Sequence, residues 1–367
     1  MLYHLLYPLA DYSIVFNVFR YVTFRSIGAF ITALIFTLLF GPPFIRMLKR
    51  KAAVESIDED MPEKHRIKAG TPTMGGLIIL VALLVASLFW NILTNSAILM
   101  MYLSTLWLGI LGFLDDYLKK FVKAKKGLIP KYKLWGQISI ALILTLAIYY
   151  SSSPADQITN LQIPFFKNLI LPLGWLFIPF VMFMITGSSN AVNLTDGLDG
   201  LAAGTLAFSA LGLGIMSYLK GNFIVADYLN LEYIYNAGEL TVFISGMMGA
   251  LIGFLWYNSY PAQVFMGDTG SLALGGILAV ISVLLKEQIF LVIIGMIFVM
   301  ETFSVIIQRY WFKYTKKKFG AGRRIFLCAP IHHHYELKGI PETKIVIRFY
   351  IVAILLVAIG LSTIKLR

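Results

Sequence analysis

A single cysteine, Cys328, stands in 367 residues, so no intrachain disulfide can form. Charge is scarce as well, with only 14% of residues Asp, Glu, Lys or Arg, against about 25% in an ordinary soluble domain. Acidic residues number only 19, against 31 Lys and Arg. No fixed-period repeat is visible, so a transporter built on sequence-evident repeats gains no support. These shortages exclude a disordered chain, a coiled coil, a collagen and a small disulfide scaffold. What is present is apolar: 58% of the chain is AVILMFWYC, and the mean hydropathy is +0.78. That balance is expected of an all-α polytopic membrane protein, a single integral domain over residues 1–367.

A hydrocarbon core about 30 Å thick needs roughly 20 apolar residues per helix. Runs of that kind lie near 25–47, 74–93, 97–116, 133–151, 169–187, 200–219, 239–258, 270–285, 288–312 and 344–364. About ten transmembrane helices are therefore expected. The first run is too long for a signal-peptide core and lacks a cleavage site, so it reads as a retained span. The stretch 220–238 reads as a loop on the far side, with room for a small hairpin. The net charge of +12 is not spread evenly. Loops near 46–68, 117–133, 188–199, 259–269 and 309–344 together hold 23 Lys and Arg; the other side holds 7, and Arg348 lies within the last span. The positive-inside rule then puts both termini on the periplasmic side. Topology accounts for the basic balance, so no nucleic-acid partner is called for.

Two loops on the basic side, 188–199 and 259–269, carry no Lys or Arg. They carry Asp196, Asp199 and Asp268 instead, and Asp115 and Asp116 end the third run. Carboxylates near lipid are costly and tend to be paired or functional. Neighbouring carboxylates repel unless a cation or proton lies between them. A hard divalent cation suits them, and Mg²⁺ favours one or two carboxylates plus substrate phosphates. Glycines surround these acids (Gly197, Gly200, Gly267, Gly270), and two stand where a helix begins, a natural phosphate cradle. Lys119 follows Asp115 by one turn and Lys131 opens the fourth run, so both are expected to reach a phosphate held there. Lys123, Lys125 and Lys126 read as topology and lipid-surface charge. The run His332, His333, His334 has only Cys328 and Glu336 nearby, too few for a zinc site. Three imidazoles suit hydrogen bonding to an anionic substrate and proton shuttling near neutral pH. Glu301 and Gln308, polar within the ninth run, are expected to face the bundle interior.

Five segments, KAGTPTMGG (68–76), FLDDYLKK (113–120), NAVNLTDGLDGLA (190–202), FMGDTGS (265–271) and APIHHHYELKG (329–339), occur in order along nearly the whole chain. Together they resemble the phospho-N-acetylmuramoyl-pentapeptide transferases, a branch of the polyprenyl-phosphate N-acetylhexosamine-1-phosphate transferase superfamily. The triple histidine favours that branch over relatives using UDP-N-acetylglucosamine.

The resemblance implies a bacterial inner-membrane enzyme with its active site facing the cytoplasm. It implies transfer of phospho-N-acetylmuramoyl-pentapeptide from its UDP-linked donor to undecaprenyl phosphate, giving lipid I and UMP, the first membrane step of peptidoglycan synthesis. It also implies Mg²⁺ dependence and a homodimer. Carried over by motif, Asp268 would hold Mg²⁺ and the pyrophosphate, and Asp115 and Asp116 would bind or activate the lipid phosphate. Asn193 and Asp196 would line the metal and diphosphate region, Asp196 as a second metal residue. Leu198, Asp199 and Phe265 would form the uridine pocket. Lys68, Thr73, Lys119, Lys131, Asn258, Gln308, His332, His333 and His334 would complete the site, with His332 and His333 catalytic. The same chemistry on UDP-N-acetylglucosamine is the nearest alternative. A lipid transporter or flippase is a further one, disfavoured because the acids gather at one face.

Overall fold

The computed structural model describes residues 1–51, 70–122, 127–151, 158–164, 169–235 and 237–366. Long apolar helices dominate. They are α1 (Val22–Arg50), α2 (Gly76–Trp90), α3 (Ser96–Lys120), α4 (Pro130–Ser151), α5 (Phe177–Thr195), α6 (Leu201–Lys220), α7 (Ala237–Asn258), α8 (Gly267–Leu284), α9 (Gln288–Ile294), α10 (Met296–Phe319), α11 (Ile331–Leu337) and α12 (Glu342–Ser362). Eight of them are long and apolar enough to cross a membrane, and the pair α9 and α10 makes a ninth such segment if counted as one. At 15 residues α2 is shorter than a span needs on its own.

Each expected run carries a helix, although the run 169–187 opens as strand and turns helical at Phe177, and there are two further differences of shape. The ninth is broken: α9 and α10 meet at 78°. Gly295 sits at the break, outside helical geometry, and a Cβ there would stand 2.8 Å from the Leu291 carbonyl oxygen. Glycine is a usual cause of such kinks. The small hairpin lies elsewhere than expected. An antiparallel pair, β1 (Asn160–Gln162) and β2 (Ile170–Pro172), with Leu161 opposite Leu171, lies between α4 and α5. The stretch 220–238 instead holds a short helix, Phe223–Leu229, capped by the Asn222 side chain. An Asn N-cap satisfies an orphan N–H and competes well with strand pairing.

The helix α8 is the centre of the bundle. From Thr269 to Val283 every residue is buried, with α3 against one side and α5 against another. A helix apolar all round belongs in such a place. A second layer forms where α7 packs on α1 and α6. The two ends of the bundle differ in chemistry. At the end holding Glu239, the start of α7, Arg25 forms a double hydrogen bond to that carboxylate (2.8 and 2.6 Å), both side chains being nearly inaccessible. Lys220 and Glu287 pair at 2.8 Å. The opposite end, where α3 and α5 finish and α4 and α8 begin, gathers the motif residues.

Candidate active site

Asp268 stands in the first turn of α8, where unused N–H groups and the positive end of the helix dipole favour an anion. The residue before it, Gly267, has φ +73°, and a Cβ there would meet the Asp116 carboxylate at 2.7 Å and the Thr73 hydroxyl at 2.8 Å. Gly112 on α3 allows a second close approach. A Cβ on it would lie 2.3 Å from the Asp268 carbonyl oxygen. The glycines therefore set how near α3 comes to the tip of α8.

Through that approach α3 delivers two carboxylates with different surroundings. Asp116 accepts the N–H of Thr269 at 2.9 Å, its hydroxyl at 2.6 Å and the N–H of Asp268 at 3.2 Å. It caps α8 from a neighbouring helix. Asp115, also buried, accepts the N–H of Leu128 at 2.7 Å. Its other oxygen lies 2.6 Å from the Lys119 ammonium and 3.4 Å from that of Lys133. The same two lysines reach Asp268, at 2.8 and 2.9 Å. Two carboxylates and two ammonium groups thus form one closed cluster. Asn193, in the last turn of α5, completes it by donating to Asp268 at 2.6 Å and to the Ser271 hydroxyl at 2.8 Å. Beside the cluster opens a cavity of about 380 Å³ lined by Asp115, Lys119, Lys133, Leu134, Gln137 and Asn190.

The structure does not bring Lys131 into this cluster; it is exposed in the first turn of α4, whereas Lys133 points inward. Two residues apart on a helix means opposite faces. Lys133 and Gln137, spaced i and i+4, form the inward polar stripe, and that spacing was the sequence signal that marks Lys133. Lys68 lies outside the described residues.

A second cavity, about 330 Å³, is lined by Asp199, Thr71, Tyr260, Ala262, Glu336 and Glu342. Asp199 accepts the Ala262 N–H at 2.9 Å, and its own N–H donates to Glu342 at 2.7 Å. Asn258 is buried and ties the loops, accepting from the Gly200 N–H at 3.1 Å and donating to the Val264 carbonyl at 2.9 Å. Phe265 is held by main-chain bonds to Pro72 and Gly75, each 2.8 Å. Leu198 is buried in an apolar cluster with Leu201, Ile297 and Ile345, so its side chain packs rather than lines the cavity. Asp196 caps the end of α5, one turn past Asn193.

The histidine run forms α11. His332 is inaccessible, with Nδ1 3.0 Å from a Glu301 carboxylate oxygen, near enough for an ion pair but not aligned as a hydrogen bond. Its Nε2 faces Gly197, where a Cβ would stand 2.2 Å away. His333 meets Glu336 at 3.1 Å. His334 accepts the Leu327 N–H at 3.1 Å, and burial together with the charge of Lys338 holds its imidazole below the usual histidine range. Gln308 spends its amide on the loop below, accepting from Ile325 and Phe326 and donating to the Phe326 carbonyl, at 2.9 to 3.0 Å.

Among the described residues no group of three or more His, Cys, Asp or Glu is arranged to hold a metal ion. An ion that takes one or two carboxylates and completes its shell with substrate phosphates needs no such group. The oxygen-only side chain of Asp268, at the tip of α8, suits that kind of cation.

A helical membrane bundle with a carboxylate and lysine cluster at one end is a framework for transferring phosphorylated groups. Residues 98–286, which carry the whole cluster, match the model of glycosyl transferase family 4. Residues 68–80 match phospho-N-acetylmuramoyl-pentapeptide-transferase signature 1. The chain is 49% identical over 368 residues to the phospho-N-acetylmuramoyl-pentapeptide-transferase of Thermodesulfovibrio yellowstonii, covering all of both chains. It is 50% identical to the proteins of that name from Citrifermentans bemidjiense and from a Geobacter species, again over the full length of each. The chain belongs to the phospho-N-acetylmuramoyl-pentapeptide-transferase family.

Proposed function

We propose that this protein transfers phospho-N-acetylmuramoyl-pentapeptide from its UDP-linked donor to undecaprenyl phosphate, producing lipid I and UMP. Full-length likeness to proteins named for that transfer supports the reading. The observation that carries it is the junction of Asp115, Asp268, Lys119 and Lys133 beside an open cavity. Phosphoryl transfer asks a protein chiefly to position groups and neutralise charge. In the resting cluster each lysine is satisfied by carboxylate. Phosphate oxygens entering the cavity compete for the same N–H donors, and charge-assisted bonds of this kind are the strong ones.

In the one-step route favoured here, an oxygen of the lipid phosphate attacks the sugar-bearing phosphorus of the donor. A new P–O bond joins the two phosphates, and the bond to the uridine-side phosphate breaks, its electron pair leaving with UMP. Asp115 stands nearest the acceptor cavity and orients the attacking phosphate through the shared lysines. Asn193 holds Asp268 in place. Asp199 and Asn258 shape the cavity proposed for the uridine end, and Phe265 is proposed to meet the uracil ring there. Asp268, with Asp196, is the proposed Mg²⁺ site. A bound Mg²⁺ would neutralise diphosphate charge that two lysines alone leave uncompensated.

Ten spans are proposed, with α2 as the second and the bent α9 and α10 as the ninth. This count puts both termini on the periplasmic side and the carboxylate cluster on the cytoplasmic side of a bacterial inner membrane, in accord with the 23 to 7 division of basic residues. The working unit implied by the resemblance is a homodimer of one-domain chains. The test is incubation of purified protein with both substrates. UMP must appear only when Mg²⁺ and lipid phosphate are both present, and Asp268→Asn must lower the rate at least a hundredfold in protein that still melts normally. Near-normal turnover of that variant, or equal use of UDP-N-acetylglucosamine, ends the proposal.

A further inference from the structure

Away from the carboxylate cluster, a third cavity of about 280 Å³ opens between α10, α11 and α12. Its walls are Ile297 and Met300 of α10, Ile331 and Tyr335 of α11, and Ile345 and Phe349 of α12. One charged residue also lines it, Arg348. Arg348 is exposed and makes no hydrogen bond or ion pair with any described residue. It lies six residues into α12 from Glu342, about 9 Å along the helix at 1.5 Å per residue. Glu342 itself accepts the N–H of Asp199, so this is the active-site end of the bundle. An unpaired arginine on the outer face of a spanning helix is costly in hydrocarbon unless its head reaches an anionic group at the interface.

We propose that this groove is a binding site for an anionic bilayer phospholipid, with an acyl chain between α10 and α12 and the phosphate on Arg348. The apolar walls fit the chain and the lone guanidinium fits the phosphate, which it can hold with two parallel N–H bonds. A polyprenyl phosphate with its phosphate on Arg348 would not have that same phosphate on Lys119 and Lys133. Those lysines line a cavity built by α3, α4 and α5, which shares no residue with this one. The lipid in the groove is therefore a different molecule from the acceptor substrate. Ile331 and Met300, which line the groove, are sequence neighbours of His332 and Glu301, so the groove adjoins the segments that carry the Glu301–His332 contact.

The test uses the purified full-length protein and native mass spectrometry with phosphatidylglycerol and phosphatidylcholine as probes, with no turnover required. That separates its failure from failure of the transferase reading. Arg348→Ala is expected to lower phosphatidylglycerol retention at least fivefold, Arg348→Lys to retain most of it, and phosphatidylcholine retention to change little. Val352 also lines the groove, one turn beyond Arg348 on α12, and Val352→Trp, which fills the groove without touching the charge, is expected to lower retention similarly. In vesicles, the parent protein is expected to run faster with phosphatidylglycerol than in phosphatidylcholine alone, and Arg348→Ala to lose that difference at unchanged KM for undecaprenyl phosphate. Equal phosphatidylglycerol retention by either the Arg348→Ala or the Val352→Trp protein overturns the proposal. So does a severalfold rise in KM for undecaprenyl phosphate with lipid retention intact, which would make the groove a substrate site.

Discussion

Lys131 and Lys133 differ by two positions in sequence and by half a turn in space, and replacing each with Met separates the structural reading from a reading by spacing alone. Lys133 contacts Asp268 at 2.9 Å and Asp115 at 3.4 Å, with 16% of its side chain accessible. Its loss leaves two carboxylates, one of them fully buried, sharing Lys119. A hydrogen bond from a charged group contributes about 1.5–3 kcal/mol. If that contribution is made to the phosphate in the transition state, at about 1.36 kcal/mol per tenfold, Lys133→Met lowers kcat/KM roughly 10- to 150-fold. Lys131→Met removes an exposed side chain, and exposed charges contribute about 0–1 kcal/mol, so the rate falls at most a few fold. The assay is UMP release at varied lipid phosphate, with thermal melts of both variants as the control for folding. A larger loss in Lys131→Met than in Lys133→Met refutes the arrangement of the cluster.

Three further outcomes are expected. Gly112→Ala drives a Cβ against the Asp268 backbone, so activity drops at least tenfold with α3 displaced from the tip of α8; full activity would contradict the close approach. Arg25→Met strands Glu239 without its cation at the far end of the bundle, and breaking a buried pair costs about 3–5 kcal/mol. Melting temperature in detergent should fall by several degrees while the protein that remains folded turns over at the parental rate. Chelation of divalent cations by EDTA should abolish UMP release, and added Mg²⁺ should restore it with no change in the melt.

The helices were largely legible because each is an apolar run of near-membrane length, and that signal is local. The acids were legible as a group because they interrupt apolar sequence at one end of the runs. What sequence did not show was direction around each helix at its tip. Choosing between Lys131 and Lys133 depends on the rotation of α4, which the apolar residues fix only once α3 and α5 are in place. Asp115 and Asp116 are adjacent and alike in sequence, yet one shares two lysines and the other caps α8. That division follows from the position of Thr269, 153 residues later. Gln308 reads as inward-facing by its polarity, and its amide is taken up by the backbone of Ile325 and Phe326, a partner no local pattern marks. The pairing of Arg25 with Glu239 had no sequence signal, since 214 positions separate them.

The placement of α8 has a bearing on how the protein tolerates its surroundings. Membranes differ in thickness, and spanning helices that face lipid respond by tilting. A helix walled by protein from Thr269 to Val283 has no lipid to answer to. The carboxylate it carries at its tip is therefore held at a height fixed by neighbouring side chains. The outer helices act as a sleeve that absorbs the adjustment, and the reactive end keeps its geometry as the membrane around it thins or swells.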